Sequence, residues 1–367
     1  MKVVKLSHPN YEYDVHSLVK AFYAEDQVTV ITPETKPEKL AELEPQVSLE
    51  IELAETGAKI RVGEEDFLWD AETENLADGY KNGLKRFLYR TLSKVTGQKL
   101  PWGNLTGIRP TKIAYGMLDE GRSDAEILDF MEQSHYVSEE KALLGIDIAK
   151  RERDLLKEIH YEGGYSLYIG IPFCPTTCLY CSFTSYPIAA FRRQVDAYVD
   201  AVIKEMDYVA ENFKDKVLDT VYIGGGTPTT LAPDSLTVHS LAIKRASRLN
   251  QWIQENGVSM LHNTDETMKI AAAGAEKLGM KPYYLYRQKN MSGNFENTGY
   301  ARPGKYGLYN ILIMEEKQTI VALGAGSITK RVFPDGRIER CDNVKDVGLY
   351  IEKIDEMIER KKELFAE

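Results

Sequence analysis

The sequence predicts an α/β protein, and three observations carry that expectation. Two strand-like runs, SLYIGIPF (Ser166–Phe173) and VLDTVYI (Val217–Ile223), are rich in β-branched and aromatic residues. Between them, from Arg192 to Glu211, Val195, Val199, Val202, Met206 and Val209 recur at helical spacing. Each strand then runs into an unusual loop, CPTTCLYC after the first and GGGTPT after the second. In α/β proteins chemistry collects in loops at the carboxyl ends of strands.

The flanking elements follow in order. VTVIT (Val28–Thr32) and VSLEIEL (Val47–Leu53) read as strands, and GAKIRVG after the ETG turn suggests a hairpin return. Helices are expected from Leu76 to Val95, from Ser123 with its S-x-x-E capping box to Met131, and from Ser138 to Lys157. SLTVHSLAI (Ser235–Ile243) reads as a further strand. Asn263–Leu278 reads as a helix capped by N-x-x-E and closed by Gly279. TIVALGAGS (Thr319–Ser327) is a strand ending in a turn of small residues. The last helix, Val344–Phe365, shows Val347, Ile351, Ile354 and Ile358 on one face. This pattern divides the chain into an N-terminal α+β domain over residues 1–160, a βα core over 161–250 and a C-terminal α+β region over 251–367.

Composition narrows the function. The chain has 367 residues, 43% hydrophobic and 28% charged, enough for two domains each with its own core. A net charge of −10 argues against a nucleic acid or an anionic membrane as main partner. The first residues, MKVVKLSHPNYEYDV, hold no apolar run of signal-peptide length, and no stretch reaches membrane-span length. A cytoplasmic location is expected.

Three of the four cysteines, Cys174, Cys178 and Cys181, fall within eight residues. In a reducing compartment such crowding points to metal or redox chemistry rather than disulfides. Zinc takes four ligands, and here a lone triplet stands, which His160 or His239 could complete only through folding. A [4Fe–4S] cluster held at three irons, with its fourth open to a small ligand, suits the count better. The isolated Cys341 reads as a buried bystander. Gly224, Gly225 and Gly226 let a backbone approach a bound ligand closely, although a tight turn alone would also use them. Arg109 and Lys112, in GIRPTK, are candidates to bind carboxylates, or merely open a helix after Pro110.

The motif CxxxCxxC with Tyr180 before its third cysteine, followed one βα unit later by GGGTPT, resembles the radical S-adenosylmethionine superfamily. YIGIPFCPTTCLYCSFTSYP and VYIGGGTPTTL resemble the oxygen-independent coproporphyrinogen III oxidase group within it. LTGIRPTKIAYGML and PYYLYRQKNMSGNFENTGY are similar to its coproporphyrinogen dehydrogenase (HemZ) subgroup. The resemblance implies an incomplete radical S-adenosylmethionine (βα) barrel with an N-terminal α+β accessory domain and a C-terminal α+β extension. It implies a [4Fe–4S] cluster on Cys174, Cys178 and Cys181, with S-adenosylmethionine on the open iron. Tyr168, Tyr180, Gly225, Gly226, Thr227 and Ala242 match the family's S-adenosylmethionine contacts, and no catalytic residue is transferred. The substrate implied is a porphyrinogen whose propionates are oxidatively decarboxylated, with a reducing electron donor as partner; haem is the ligand in the related chaperones. The crowd Tyr283, Tyr284, Tyr286, Tyr300, Tyr306 and Tyr309 would suit a flat tetrapyrrole, but core and sheet packing is the expected role for most.

Two departures stand out. Phe183 occupies the place of a further cysteine in the oxidases, a pattern nearer the haem chaperones, and Gly170 stands where both relatives usually have histidine. Only eight residues, TPTTLAPD, separate Gly226 from Ser235, whereas a parallel crossover takes about a dozen residues and a whole βαβ unit about thirty. In the family a helix and three βα units lie here, with ligands to the ribose and carboxylate of S-adenosylmethionine. The chain therefore jumps from the second barrel strand to the sixth near Leu231–Pro233, which would leave an exposed edge at Val217–Ile223. Three readings result: a coproporphyrinogen dehydrogenase-like enzyme, a haem carrier, or an inactive shortened relative.

Overall fold

The computed structural model describes residues 1–70, 79–107, 109–175, 181, 184–225, 235–238, 248–256, 264–287 and 294–366, apart from the side chains of 248–250 and 254. It is a mixed α/β structure with parallel strand pairs. In chain order the first elements are β1 (Lys2–Leu6), α1 (Glu12–Phe22), β2 (Val28–Ile31), α2 (Pro37–Leu43), β3 (Val47–Ala54), β4 (Gly57–Val62), β5 (Glu65–Asp70) and α3 (Tyr80–Thr96). Helices α4 (Thr111–Asp119), α5 (Asp124–His135) and α6 (Glu139–Leu155) follow. Next come β6 (Gly164–Ile171), β7 (Phe173–Cys174), β8 (Tyr186–Pro187), α7 (Ile188–Phe191), α8 (Val195–Asn212), β9 (Val217–Gly225) and β10 (Ser235–Val238). The remainder is α9 (Arg248–Asn256), α10 (Asp265–Lys277), β11 (Lys281–Tyr286), β12 (Asn297–Ala301), α11 (Leu308–Glu315), β13 (Thr319–Leu323), β14 (Ile328–Val332), β15 (Ile338–Asp342), α12 (Val347–Glu352) and α13 (Ile354–Phe365).

The chain divides into two compact units. The first holds residues 1–151 and the described residues of 236–242 and 257–300. Its five-stranded sheet runs β2-β1-β3-β4-β5, with β1 parallel to both neighbours and β3, β4 and β5 an antiparallel meander. The ETG turn is tight, since Ala54 pairs with Gly57 across Glu55 and Thr56. Apolar residues of alternate strand positions, Val4, Leu6, Ile51 and Ile60, bury against Leu18 and Val19 of α1 and Leu84, Leu88 and Leu92 of α3. Helix α5 has the expected capping box: Ser123 accepts from the Glu126 N–H, and the Ser123 N–H donates to Glu126 Oε2 at 2.8 Å. A second core gathers Trp102, Ile127, Met131, Ile146 and Leu285. There the Glu296 carboxylate accepts from Lys141 Nζ at 2.7 Å and Trp102 Nε1 at 2.9 Å, so a buried charge meets a buried counter-charge.

The second unit is built on a five-stranded sheet, β15-β14-β13-β6-β9. Strand β6 lies between two parallel neighbours, with Thr319–Leu323 opposite Tyr165–Ile169 on one side and Gly164–Ile171 opposite Val217–Gly225 on the other. Strands β14 and β15 extend it antiparallel. Tyr165, Leu167, Val321 and Leu323 pack under α8, α12 and α13 through Val202, Val209, Val347, Ile354 and Ile358. Among the described strands β9 is the sheet edge, and Val217, Leu218, Val221 and Ile223 are exposed there, as the short connection after Gly226 leads one to expect.

Four expectations are corrected in detail. The strand beginning at Ser235 joins β12 and β11 in a separate three-stranded sheet, because the nine residues 226–234 are too few to return it beside β9. Helix α8 buries Tyr198, Ala201, Val202, Glu205, Tyr208 and Val209 and exposes Val199 and Met206; larger and hydrogen-bonded side chains turned the buried face away from the valine stripe. The cap of α10 is Thr264, whose hydroxyl accepts from the Thr267 N–H at 3.2 Å, one residue later than the N-x-x-E pattern. The last helix is two helices broken at Lys353, and their buried residues include Tyr350, Met357 and Lys361.

Candidate cofactor site

The parallel strands β13, β6 and β9 end on the same edge of their sheet, and three loops meet there. The first leaves β6 at Ile171 and carries the cysteines. Its base is closed by the short parallel pair β7 and β8, with Phe173 opposite Tyr186 and Cys174 opposite Pro187, and by the Tyr186 N–H donating to the Pro172 carbonyl at 2.8 Å. Cys174 and Cys181 carry free, half-buried thiols. Cys178 and Tyr180 lie outside the described residues.

The second loop begins at Gly224–Gly225, level with Gly170 and Ile171. Gly225 has φ +107°, and a Cβ there would stand 2.5 Å from the Ile171 carbonyl oxygen, so only glycine fits. Gly226, Thr227, Ala242 and His239 lie outside the described residues. The third loop follows β13 through Gly324, Ala325 and Gly326, with φ of +94° and +72° at its two glycines.

Tyr168 does sit at this edge. Its ring stacks on Tyr222 of β9 at 5.9 Å and on Tyr309 of α11 at 5.8 Å, and Tyr222 and Tyr309 stack at 4.6 Å. The glycines explain the lean of the rings: a Cβ on Gly224 would meet the Tyr222 ring at 2.6 Å and the Tyr168 ring at 3.0 Å. Burial, then the neighbouring Tyr222, raises the Tyr168 hydroxyl above its ordinary value. The strand-end tyrosine was legible in the sequence. Tyr222 and Tyr309 were not, since their meeting depends on register and on where α11 lands.

Other candidates lie elsewhere. His160 is at the opposite end of the sheet, where its Nδ1 is 2.8 Å from Asp219 Oδ1 and Gln318 Nε2 donates to Asp219 at 2.5 Å. It is not the fourth ligand that a zinc site would need. Cys341 sits within β15 opposite Thr329, and burial pushes its thiol up. Helix α4 begins directly after Pro110, with Lys112 exposed on its first turn and Arg109 half-buried before it. Among the described residues no group of His, Cys, Asp or Glu has the makings of a metal site, and no helix is long and apolar enough to cross a membrane.

Sequence reasoning missed the support behind these loops. Glu205 of α8 is fully buried and accepts from Lys361 Nζ at 2.6 Å, Asn343 Nδ2 at 2.9 Å, the Gly324 N–H at 2.9 Å and the Tyr350 hydroxyl at 2.5 Å. Tyr198, two helical turns earlier, donates to the Gly170 carbonyl at 2.7 Å and accepts from the Ala325 N–H at 2.9 Å. The signal in the sequence was a polar residue on each apolar face, Glu205 among valines and Lys361 among the final helix's isoleucines.

The structure is an α/β sheet in which the cysteine loop and the glycine loop leave neighbouring strands at the carboxyl edge, and comparison with known proteins adds to that description. The chain is 27% identical to the oxygen-independent coproporphyrinogen-III oxidase-like protein HemZ of Bacillus subtilis, over 77% of this chain and 80% of the relative. It is 42% identical to the heme chaperone HemW of Bacillus subtilis over 36% of this chain and 38% of that protein. It is 35% identical to the oxygen-independent coproporphyrinogen III oxidase of Pseudomonas aeruginosa over 19% of this chain and 15% of the relative. These matches make the chain similar to the oxygen-independent coproporphyrinogen-III oxidase-like proteins. The span aligned with HemZ is 401 residues, longer than this whole chain of 367, so HemZ holds segments with no counterpart here. The expected jump at Leu231–Pro233 itself lies outside the described residues. No family model and no solved structure matches the chain.

Proposed function

We propose that this chain is a shortened coproporphyrinogen dehydrogenase-like protein of the radical S-adenosylmethionine type, cytoplasmic, with a porphyrinogen as substrate and a reducing electron donor as partner. The observation that carries the reading is the cysteine loop, pinned at its base beside Gly224–Gly225 on the carboxyl edge of parallel strands. The fit to the implied group rests on chemistry and space. Three thiolates suit a [4Fe–4S] cluster with one open iron, and Gly225 leaves bare backbone where a Cβ would collide. Cys174, Cys178 and Cys181 would hold the cluster; Tyr168, Tyr180, Gly225, Gly226, Thr227 and Ala242 would face S-adenosylmethionine. When bound and reduced, that pair supplies a 5′-deoxyadenosyl radical able to take hydrogen from a propionate side chain.

The chain's own residues supply orientation. Pro172, Tyr186 and the β7–β8 pair close the loop's base, and the Tyr168–Tyr222–Tyr309 stack lays aromatic rings along the sheet beside it. A second reading, a haem carrier, is favoured by Phe183 in place of a further cysteine and by the likeness to the heme chaperone HemW.

Anaerobic reconstitution with iron and sulfide, followed by dithionite and S-adenosylmethionine, tests the first reading. Broad visible absorption lost in Cys178→Ala, together with 5′-deoxyadenosine, supports it; full iron and sulfide retained in that variant would refute it. Stoichiometric haem binding without 5′-deoxyadenosine would favour the carrier.

A further inference from the structure

Two arms enter and leave the cysteine loop, and both rest on one buried assembly. The entering arm is Gly170–Cys174. Tyr198 donates to the Gly170 carbonyl, and its ring meets Phe173, the neighbour of Cys174, edge-on at 5.2 Å. The leaving arm is Thr184–Pro187. Thr184 abuts Gly326 so closely that a Cβ on that glycine would stand 2.7 Å from Thr184 Oγ1. The Tyr186 hydroxyl donates to the Lys345 carbonyl at 3.1 Å.

The turn between these arms, Gly324–Gly326, has no freedom of its own. The Gly324 N–H is taken by Glu205, its carbonyl accepts from Asn343 Nδ2 at 3.0 Å, and the Ala325 N–H goes to Tyr198. A Cβ on Gly324 would stand 2.4 Å from the Gly170 carbonyl oxygen, so turn and strand end are in direct contact. Behind the turn, Lys361 neutralises Glu205 and also donates to Asn343 Oδ1 at 2.8 Å. Tyr198, Glu205 and Lys361 are all fully buried. Burial alone calls for a partner for the Glu205–Lys361 pair; it does not call for one that binds the backbone of two loop supports.

We propose that Tyr198 and the Glu205–Lys361 pair are positioning residues for the cysteine loop: they clamp both its arms to the Gly324–Gly326 turn and so fix the spacing of Cys174 and Cys181. The clamp is a property of the protein without cofactor. Its consequence for cluster retention rests on the function proposed above.

Alkylation of the apo-protein by iodoacetamide, read residue by residue by mass spectrometry, tests the clamp. Tyr198→Phe keeps the ring on Phe173 and removes only the hydroxyl. It is expected to speed modification of Cys174 and Cys181 at least threefold, while the buried Cys341, on a strand of the same sheet, keeps its wild-type rate. Glu205→Gln, which keeps the shape and removes the charge that orders the turn, should act in the same direction. Unchanged rates at Cys174 and Cys181 in both variants overturn the proposal, as does equal acceleration of all three cysteines, which is general loosening. In reconstituted protein Tyr198→Phe should lose iron to a chelator several-fold faster than wild type. A clamp effect on thiol rates in a wild type that takes up no cluster would sustain the clamp and remove the cluster reading.

Discussion

Replacing Lys361 by methionine isolates the energetics of the buried pair. Methionine matches the aliphatic stem of lysine, so the packing of α13 against β15 and α8 is preserved and the perturbation is the loss of the ammonium. Glu205 is then a fully buried carboxylate without its counter-charge. Removing one member of such a pair costs about 3–5 kcal/mol. Glu205 keeps three donors, the Gly324 N–H, Asn343 Nδ2 and the Tyr350 hydroxyl, so the low end, about 3 kcal/mol, is expected.

For a unit of this size, a loss of about 3 kcal/mol corresponds to a fall in Tm of roughly 6–12 °C. Calorimetry, with urea unfolding followed by circular dichroism, measures it. The double variant Glu205→Gln with Lys361→Met removes both charges and should recover more than half of the loss, because no charge is left buried and the amide oxygen can still accept from the Gly324 N–H and the Tyr350 hydroxyl. A single variant that costs less than about 1 kcal/mol, or a double variant as unstable as the single, would refute the picture of a desolvated, mutually dependent pair.

Three further outcomes follow from the same structure. Gly324→Ala sets a Cβ against the Gly170 carbonyl at a position with φ +94°, and should lower stability by at least about 2 kcal/mol in thermal melts; a neutral effect would mean the turn is loose. Val221 is 53% and Ile223 68% exposed on an edge strand whose one charge, Asp219, is held inward by His160, so the wild type should self-associate as concentration rises. Val221→Lys should suppress that association in light scattering with little change in Tm, and a wild type that stays monomeric up to its solubility limit contradicts the expectation. Hydrogen bonds from Arg61, then Lys59, hold the Asp66 carboxyl down to about 2, below its ordinary value of 3.8. A depressed acid stabilises fully above its unfolded range and loses that contribution as pH falls from about 4 towards about 2. Carboxylate titration by NMR should find that low midpoint, and one near 4 would rule the pairing out.

How far these features could be read from the chain depends on their range. The cysteine triplet, the glycine loop and the strands that carry them are local patterns, and Ser166–Phe173 and Val217–Ile223 stand as strands in the structure. The capping box at Ser123 is likewise set within four residues. Amphipathic faces were harder. In α8 the valines at 195, 199, 202 and 209, with methionine at 206, mark an apolar stripe, yet Tyr198 and Glu205 define the buried side, because partners more than a hundred residues away in sequence satisfy them. Periodicity records apolarity and has no term for a polar group whose partner arrives with the fold. The pairing of Ser235–Val238 was beyond reach for the same reason: the short link forbade a place beside β9, but nothing local named β12 as the alternative.

The position of the clamp bears on which parts of the proposed cofactor site the chain can still build. Its members come from the end of β6, from α8, from the turn after β13 and from α12 and α13. All of these lie before residue 226 or after residue 300, away from the short 226–234 connection. The side of the sheet beyond β9 is different. A parallel strand there would need a crossover that 226–234 cannot provide. On the function proposed above, cluster binding and S-adenosylmethionine binding should therefore separate in this chain. Reconstituted protein should hold iron and sulfide in full, yet take up S-adenosylmethionine only weakly in calorimetry; tight, stoichiometric uptake would show that the edge at β9 is completed in some other way.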